Sequence, residues 1–336
     1  MPSSHIAISS ASRPRFRGPG SLCLLGAGIA LACLGKPAVA SGLGHGSSPR
    51  VSPCPPEACN DVWYVSTRRL PGICGLPRHA DFEVERRVAG RWERADVEAL
   101  LGEPARPLVF FIHGNRYEAS EARSQGVMIA RRLEATCPAG VRTVVFSWPS
   151  QQRGRLIESS RDNYRRASSD GHYFACLLGR VPSSQPVAII GYSLGALIAA
   201  EALDDLVTHP EASAGSPWAL REGRTHLVLV APAMRCDALA PRGAYAAATS
   251  GIQRLTLVIN SRDLALRMFP HLDRESDLDA LGVAGMSRRS VPSTVEYSAT
   301  DAAPVVGRRH ALPEYLQSGT LMRRIAGGAV AGLAGD

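Results

Sequence analysis

Apolar residues in this chain gather in short continuous runs rather than alternating with polar ones. Five runs have the length of a strand: Leu108–Ile112, Thr143–Phe146, Val187–Ile190, His226–Val230 and Leu255–Ile259. A strand that is apolar throughout must be covered on both faces, as in the parallel sheets of α/β proteins. Successive runs begin roughly 30 to 45 residues apart, which leaves room for a crossover helix between parallel neighbours. The intervening stretches 118–137, 161–178 and 194–207 carry helical spacing, for example Ala122, Met128 and Leu133 in the first. Upstream, Trp63–Thr67 predicts a first strand, and the charged, Trp-bearing stretch 82–95 predicts a strand or hairpin. Downstream, Thr294–Ser298 predicts a last strand and Leu312–Ile325 a last helix, with the Ala/Gly-rich residues 326–336 expected as a flexible tail. The expected fold is α/β, a mostly parallel central sheet with helices on both faces, in one domain over residues 62–325.

The first 61 residues break this pattern. Arg13, Arg15 and Arg17 precede the apolar stretch Ser21–Leu34, and Ala38-Val39-Ala40 follows with small-x-small spacing. Residues 1–40 therefore predict a secretory signal peptide. The apolar stretch falls short of the ~20 residues of a membrane span. Ala30-Leu31-Ala32-Cys33 weakly resembles a lipoprotein processing site, so a lipid-anchored form is the lesser alternative. Residues 41–61 are rich in Gly, Ser and Pro and read as a linker. The expected location is secreted or periplasmic, with no transmembrane span in the mature chain.

Export changes the reading of charge and cysteine. The net charge is +8, but Arg13, Arg15, Arg17 and Lys36 fall in the predicted signal, which contains no acid. The remaining Arg residues lie scattered among acids and form no basic stripe, so no nucleic-acid partner is expected. Of the eight cysteines, Cys54, Cys59, Cys74, Cys137, Cys176 and Cys236 lie beyond the signal. An oxidising compartment predicts disulfides for at least some of them, with a local Cys54–Cys59 loop as one pairing. Their spacing does not fit a zinc site. A hydrophobic fraction of 45% with 20% charged residues excludes a disordered chain.

The chemistry centres on Gly191-Tyr192-Ser193-Leu194-Gly195. This Gly-x-Ser-x-Gly pattern follows the apolar strand Val187–Ile190 directly and opens a predicted helix. A strand-to-helix turn so tight strains its central residue and exposes Ser193 at the carboxyl end of the sheet, at a helix N-terminus that favours a developing anion. The arrangement resembles the α/β-hydrolase superfamily, in a lipase/esterase-like branch of uncharacterised function, over about residues 62–318. Trp63–Arg68, Phe146–Ser150, Asp162–Tyr164 and Asp263–Arg267 resemble that branch as well, whereas Tyr192 stands where it more often has His.

The resemblance implies roles for particular residues. Val109–Asn115 resembles the strand and His-Gly turn that supply an oxyanion donor, implying the N–H of Asn115 with that of Leu194. His113 would then stabilise the turn rather than act as the base. Nucleophile, acid and histidine occur in that order in the superfamily, implying Ser193, Asp263 and His310. Only His271 and His310 follow Asp263, and His271 lies too close to it to reach a separate loop. Asp237, and more weakly Asp301, remain alternative acids.

The implied function is an exported serine hydrolase that cleaves a carboxylic ester through an acyl-enzyme intermediate, without metal or organic cofactor. The substrate is a small-molecule or lipid ester. The stretch Met268–Ser293 is the one candidate cover for the site, and the lack of a long lid insertion favours smaller soluble esters. The competing class is a non-catalytic binding or cell-envelope interaction protein on the same scaffold. Oligomeric state is left open.

Overall fold

The computed structural model describes residues 61–333 apart from 103–105, 138–139, 213–217 and 274–276. The predicted signal peptide, most of the linker, Cys54 and Cys59 lie outside the described residues.

Nine strands form one sheet among the described residues. They are β1 (Val62–Ser66), β2 (Glu83–Val88), β3 (Arg91–Ala95), β4 (Leu108–Ile112), β5 (Arg142–Ser147), β6 (Val187–Tyr192), β7 (Thr225–Val230), β8 (Arg254–Ile259) and β9 (Glu296–Asp301). Their order across the sheet is β3-β2-β1-β5-β4-β6-β7-β8-β9. From β1 to β9 every pairing is parallel; β2 and β3 add an antiparallel edge. The β2–β3 hairpin closes through Ala89 and Gly90, both at positive φ (46° and 85°), as a two-residue turn of matching twist requires.

The helices are α1 (Val97–Leu101), α2 (Ala119–Glu134), α3 (Leu156–Leu178), α4 (Leu194–Thr208), α5 (Leu281–Ala284), α6 (Ala303–Val306), α7 (Leu312–Gln317) and α8 (Gly319–Val330). Helices α3 and α4 pack on each other over one face, and α2 and α8 cover the other. This follows from right-handed crossovers that run one way from β4 to β5 and the other way from β6 to β7. The direction in which strands are added across the sheet reverses between β4 and β6, which lie side by side and parallel. In open α/β sheets ligands bind outside the carboxyl ends of strands at such a switch point.

The five apolar runs are buried strands, as expected, and 82–95 is a hairpin. Three expectations are corrected. The last strand begins at Glu296, because Ser293 and Thr294 form a turn and the register starts opposite Arg254. The predicted last helix is two helices, broken at Ser318, whose hydroxyl accepts from the Leu321 N–H and caps α8. The expected flexible tail is helical through Val330, with Ala326, Ala329 and Leu333 buried. Small residues there permit close approach to the sheet. A Cβ at Gly328 would lie within 2.7 Å of the Thr256 Cβ. His226 Nδ1 hydrogen-bonds the Ala329 carbonyl at 3.0 Å, and Arg224 donates to the Gly332 carbonyl at 2.7 Å.

The disulfide expectation is also corrected for Cys74, Cys137, Cys176 and Cys236, which are all free. Cys176 is buried within α3, where it serves as a small apolar side chain. No helix among the described residues is long and apolar enough to cross a membrane.

Candidate active site

Strand β6 delivers Ser193 to the carboxyl edge of the sheet at φ 54° and ψ −119°. That conformation costs a non-glycine residue about 1–3 kcal/mol, so the surroundings must hold it. The Ser193 N–H donates to the Val230 carbonyl (3.0 Å), and its carbonyl accepts from Ala196 (3.1 Å) and Ala233 (3.1 Å). The flanking glycines are there for space. A Cβ at Gly191 would lie 2.7 Å from the Ala196 Cα, and one at Gly195 would strike the Ile112 carbonyl.

His310 reaches Ser193 from a loop that follows α6. The chain leaves that helix through Gly307 at φ 68°, a left-handed conformation suited to glycine. Two hydrogen bonds strap the loop to the turn after β8. The Leu264 N–H donates to the Arg308 carbonyl (3.2 Å), and Asn260 Nδ2 donates to the Arg309 carbonyl (3.1 Å). The Tyr192 ring stacks on the imidazole, with centroids 5.3 Å apart and planes 23° from parallel.

The side chains of Ser193, His310 and Asp263 form one continuous chain. His310 Nδ1–H donates to Asp263 Oδ2 at 2.6 Å, which leaves Nε2 to accept from the Ser193 hydroxyl at 2.8 Å. Asp263 is fully buried, and its Oδ1 accepts from the Ala265 and Leu266 N–H groups at 2.9 and 3.0 Å. One carboxylate oxygen therefore caps the following turn while the other orients the imidazole. The alternative acids are engaged elsewhere. Asp237 pairs with Arg235 through both oxygens (3.0 and 2.8 Å). Asp301 accepts from the Ser261 hydroxyl (2.6 Å) and from the Ala303 N–H (2.9 Å).

The turn after β4 places Asn115 beside Ser193. A Cβ at Gly114 would lie 2.9 Å from the Ser193 Cβ and 3.0 Å from the Tyr192 ring, so only glycine allows this approach. The Asn115 side chain is committed at both ends. Its Oδ1 accepts from Asn163 Nδ2 (2.7 Å) and the Arg116 N–H (3.0 Å), and its Nδ2 donates to Ser160 Oγ (3.1 Å). The next residue, Arg116, sits at φ 66° and donates its N–H to the Ser150 carbonyl (2.7 Å). Asn115 and Leu194 both line the cavity that Ser193 and His310 also line.

Beneath this turn lies a buried polar network. The His113 Nδ1–H donates to the Gly114 carbonyl (2.9 Å), and its Nε2 meets the Ser147 hydroxyl (3.2 Å). Trp148 Nε1 donates to the His113 carbonyl (2.8 Å). Burial, reinforced by the nearby Arg68 charge, lowers the His113 pKa to about 3, so this imidazole is neutral and structural. Arg68, in the turn after β1, donates to Ser147 Oγ (2.9 Å), Gln151 Oε1 (2.9 Å) and the Tyr117 carbonyl (2.8 Å). Sequence reasoning identified fragments containing Arg68, Ser147 and Asn163 but no roles for them. Arg68 meets Ser147 across 79 residues of chain and Asn163 meets Asn115 across 48, and no local spacing signals either contact.

The cavity at Ser193 has a volume of about 680 Å³. A larger, more open depression of about 830 Å³ lies on the β2–β3 hairpin and α2, lined by Glu85, Trp92 and Arg123, away from the serine. Among the described residues one cluster has metal-ligating composition: His172, Glu201 and Asp205, between α3 and α4. His172 Nδ1 lies 2.5 Å from Asp205 Oδ2, a hydrogen-bond separation, and Ser168 donates to Glu201 at 2.9 Å. None of the three lines the Ser193 cavity.

Comparison with known proteins bears on the fold and the family. Two solved structures of esterase B from Lactobacillus rhamnosis are similar to this chain. One, inhibited by a C6-C4 SN3 compound, shares 12% identity over 67% of this chain and 75% of its own, with a TM-score of 0.34. The other, inhibited by a C4-C4 SN3 tributyrin phosphonate, shares 13% over 66% and 73%, with a TM-score of 0.32. No curated protein matches. A family model described as "Alpha/beta hydrolase of unknown function (DUF900)" matches residues 92–303, a span that contains Asn115, Ser193 and Asp263 and stops short of His310. The chain belongs to that alpha/beta hydrolase family.

Proposed function

We propose that this protein is an exported serine hydrolase that cleaves a carboxylic ester through an acyl-enzyme intermediate. One observation carries the reading: the unbroken hydrogen-bonded line from Ser193 through His310 to buried Asp263, at a cavity that Asn115 and Leu194 also line. A serine hydroxyl is a weak nucleophile at neutral pH. His310 Nε2 accepts its proton as Oγ attacks the ester carbonyl, and Asp263 stabilises the imidazolium that forms. The carbonyl oxygen becomes an oxyanion at the backbone N–H groups of Asn115 and Leu194, each worth about 3–4 kcal/mol to the transition state. His310 then protonates the departing alcohol. Water enters by the same steps in reverse roles, releasing the acid and restoring the serine.

Export by the segment 1–40 places this activity in the periplasm or outside the cell. The experiment that tests the reading is labelling by a fluorophosphonate probe. Wild-type protein is expected to form a covalent adduct that Ser193→Ala, folded by circular dichroism, does not. Equal labelling of both, or of neither, replaces the hydrolase with a binding protein on this scaffold.

A further inference from the structure

The walls of the Ser193 cavity carry information about the acyl group, resting on the hydrolase reading above. Eight large apolar side chains are exposed among the described residues. Three of them, Leu156 (49%), Ile157 (53%) and Met268 (51%), line this one cavity. Isolated exposed apolar residues need no explanation, but a cluster at a site's mouth marks a surface that something covers.

The three belong to one structure. Leu156 and Ile157 form the first turn of α3, and Met268 lies in the 3-10 turn Leu266–His271. The two elements are fastened together: Arg161 Nε donates to the His271 carbonyl (3.0 Å), and the Tyr164 and Phe269 rings meet edge to face at 5.7 Å. Buried Leu266 and Phe269 continue the apolar surface inward along the same cavity.

The proposed reaction also fixes which part of an ester meets this collar. The carbonyl oxygen sits at the Asn115 and Leu194 N–H groups, and the leaving alcohol must lie against His310 Nε2 to be protonated. The acyl chain then extends away from His310, on the Asn115 side. That side is α3, since Asn115 Nδ2 donates to Ser160 Oγ, and Ser160 lies one turn beyond Leu156 and Ile157 on the same helix face. We propose that Leu156, Ile157 and Met268 form an acyl subsite, and that the substrate is an ester of a medium-length, uncharged aliphatic acid. This departs from the smaller soluble esters that the absence of a lid insertion favoured.

The test holds the leaving group constant and varies the acyl chain. p-Nitrophenyl acetate, butanoate and octanoate are compared, each below the concentration at which it aggregates. Three proteins are assayed: wild type, Ser193→Ala and the triple variant Leu156→Ser, Ile157→Ser, Met268→Ser. The account expects kcat/KM of the wild type to rise from acetate to octanoate, by about fourfold for each early methylene covered. It expects the triple variant, whose changes are all at exposed positions, to lower the octanoate-to-acetate ratio by about tenfold or more. Rates that fall with chain length, a ratio unmoved by the triple variant, or octanoate turnover only above its aggregation point each overturn the subsite. These outcomes leave the hydrolase reading standing. Absence of Ser193-dependent turnover of all three esters overturns that reading and the subsite with it.

Discussion

The two sides of the Ser193 cavity are built on different plans. On one side, the turn 113–117 rests on a buried network in which Arg68, His113, Ser147 and Trp148 are all hydrogen-bonded. On the other, apart from the bonds of the His310 ring to Asp263 and Ser193, the loop carrying His310 hangs from two backbone acceptors, at Arg308 and Arg309, and one stacked ring, Tyr192. The difference fits the tasks assigned to each side. Oxyanion donors act by being fixed before charge develops, whereas the imidazole must move a proton between serine and leaving group. Rigidity is concentrated where reorganisation would cost most.

Substitutions on the two sides should therefore have unequal effects. Gly114→Ala should be the more damaging. Its new Cβ meets the Ser193 Cβ at 2.9 Å and the Tyr192 ring at 3.0 Å, so the Asn115 N–H must withdraw from the serine. Steady-state kinetics should show kcat lower by about 10²–10³-fold, the effect of losing one oxyanion donor. Asn260→Ala on the opposite side removes one strap on the His310 loop. It should cost about 0.5–1.5 kcal/mol in chemical denaturation and only a few-fold in kcat. Equal losses from the two variants would erase the distinction.

A smaller effect probes the network directly. His113 has its pKa lowered to about 3 from 6.5, so the fold holds it neutral while the unfolded chain takes up a proton below pH 6.5. Its contribution to stability is complete above that pH and is lost as pH falls toward 3. Between pH 6 and 4 the unfolding free energy from chemical denaturation should decline by about 1.4 kcal/mol per pH unit from this residue. His226, whose pKa burial lowers to about 4, acts in the same direction. A protein equally stable at pH 7 and pH 4.5 would contradict the buried neutral network.

These two sides were also unequally legible in the sequence. Ser193 follows from a local strand-to-helix turn, whereas Asp263 and His310 were implied by the superfamily's chain order, with Asp237 and Asp301 left as alternative acids. The central strands are legible for a similar reason, since burial on both faces forces continuous apolar runs. Strand β9 is an exposed edge with Glu296, Ser298 and Ala299 open to solvent, so its apolar signal is weak and its start was misplaced. The Ala/Gly composition of α8 reads as a loose tail, yet those small residues exist because the helix packs closely against β8. Arg68 was legible only as part of a resembling fragment, and His113 only as a turn residue implied by the resemblance; neither carries a signal for the network. They meet at Ser147 only because β5 pairs in parallel with β1 on one side, setting Ser66 opposite Ser147, and with β4 on the other, setting Ile112 opposite Phe146.

The central claim is that the Ser193 hydroxyl becomes covalently acylated. Acid-quenched turnover of a p-nitrophenyl ester, followed by peptide mass mapping, tests it most directly. The account predicts an acyl group on the peptide containing Ser193, accumulating in step with a burst of nitrophenolate and absent from the Ser193→Ala protein. Turnover with no acylated serine, or with the acyl group on another residue, would contradict it.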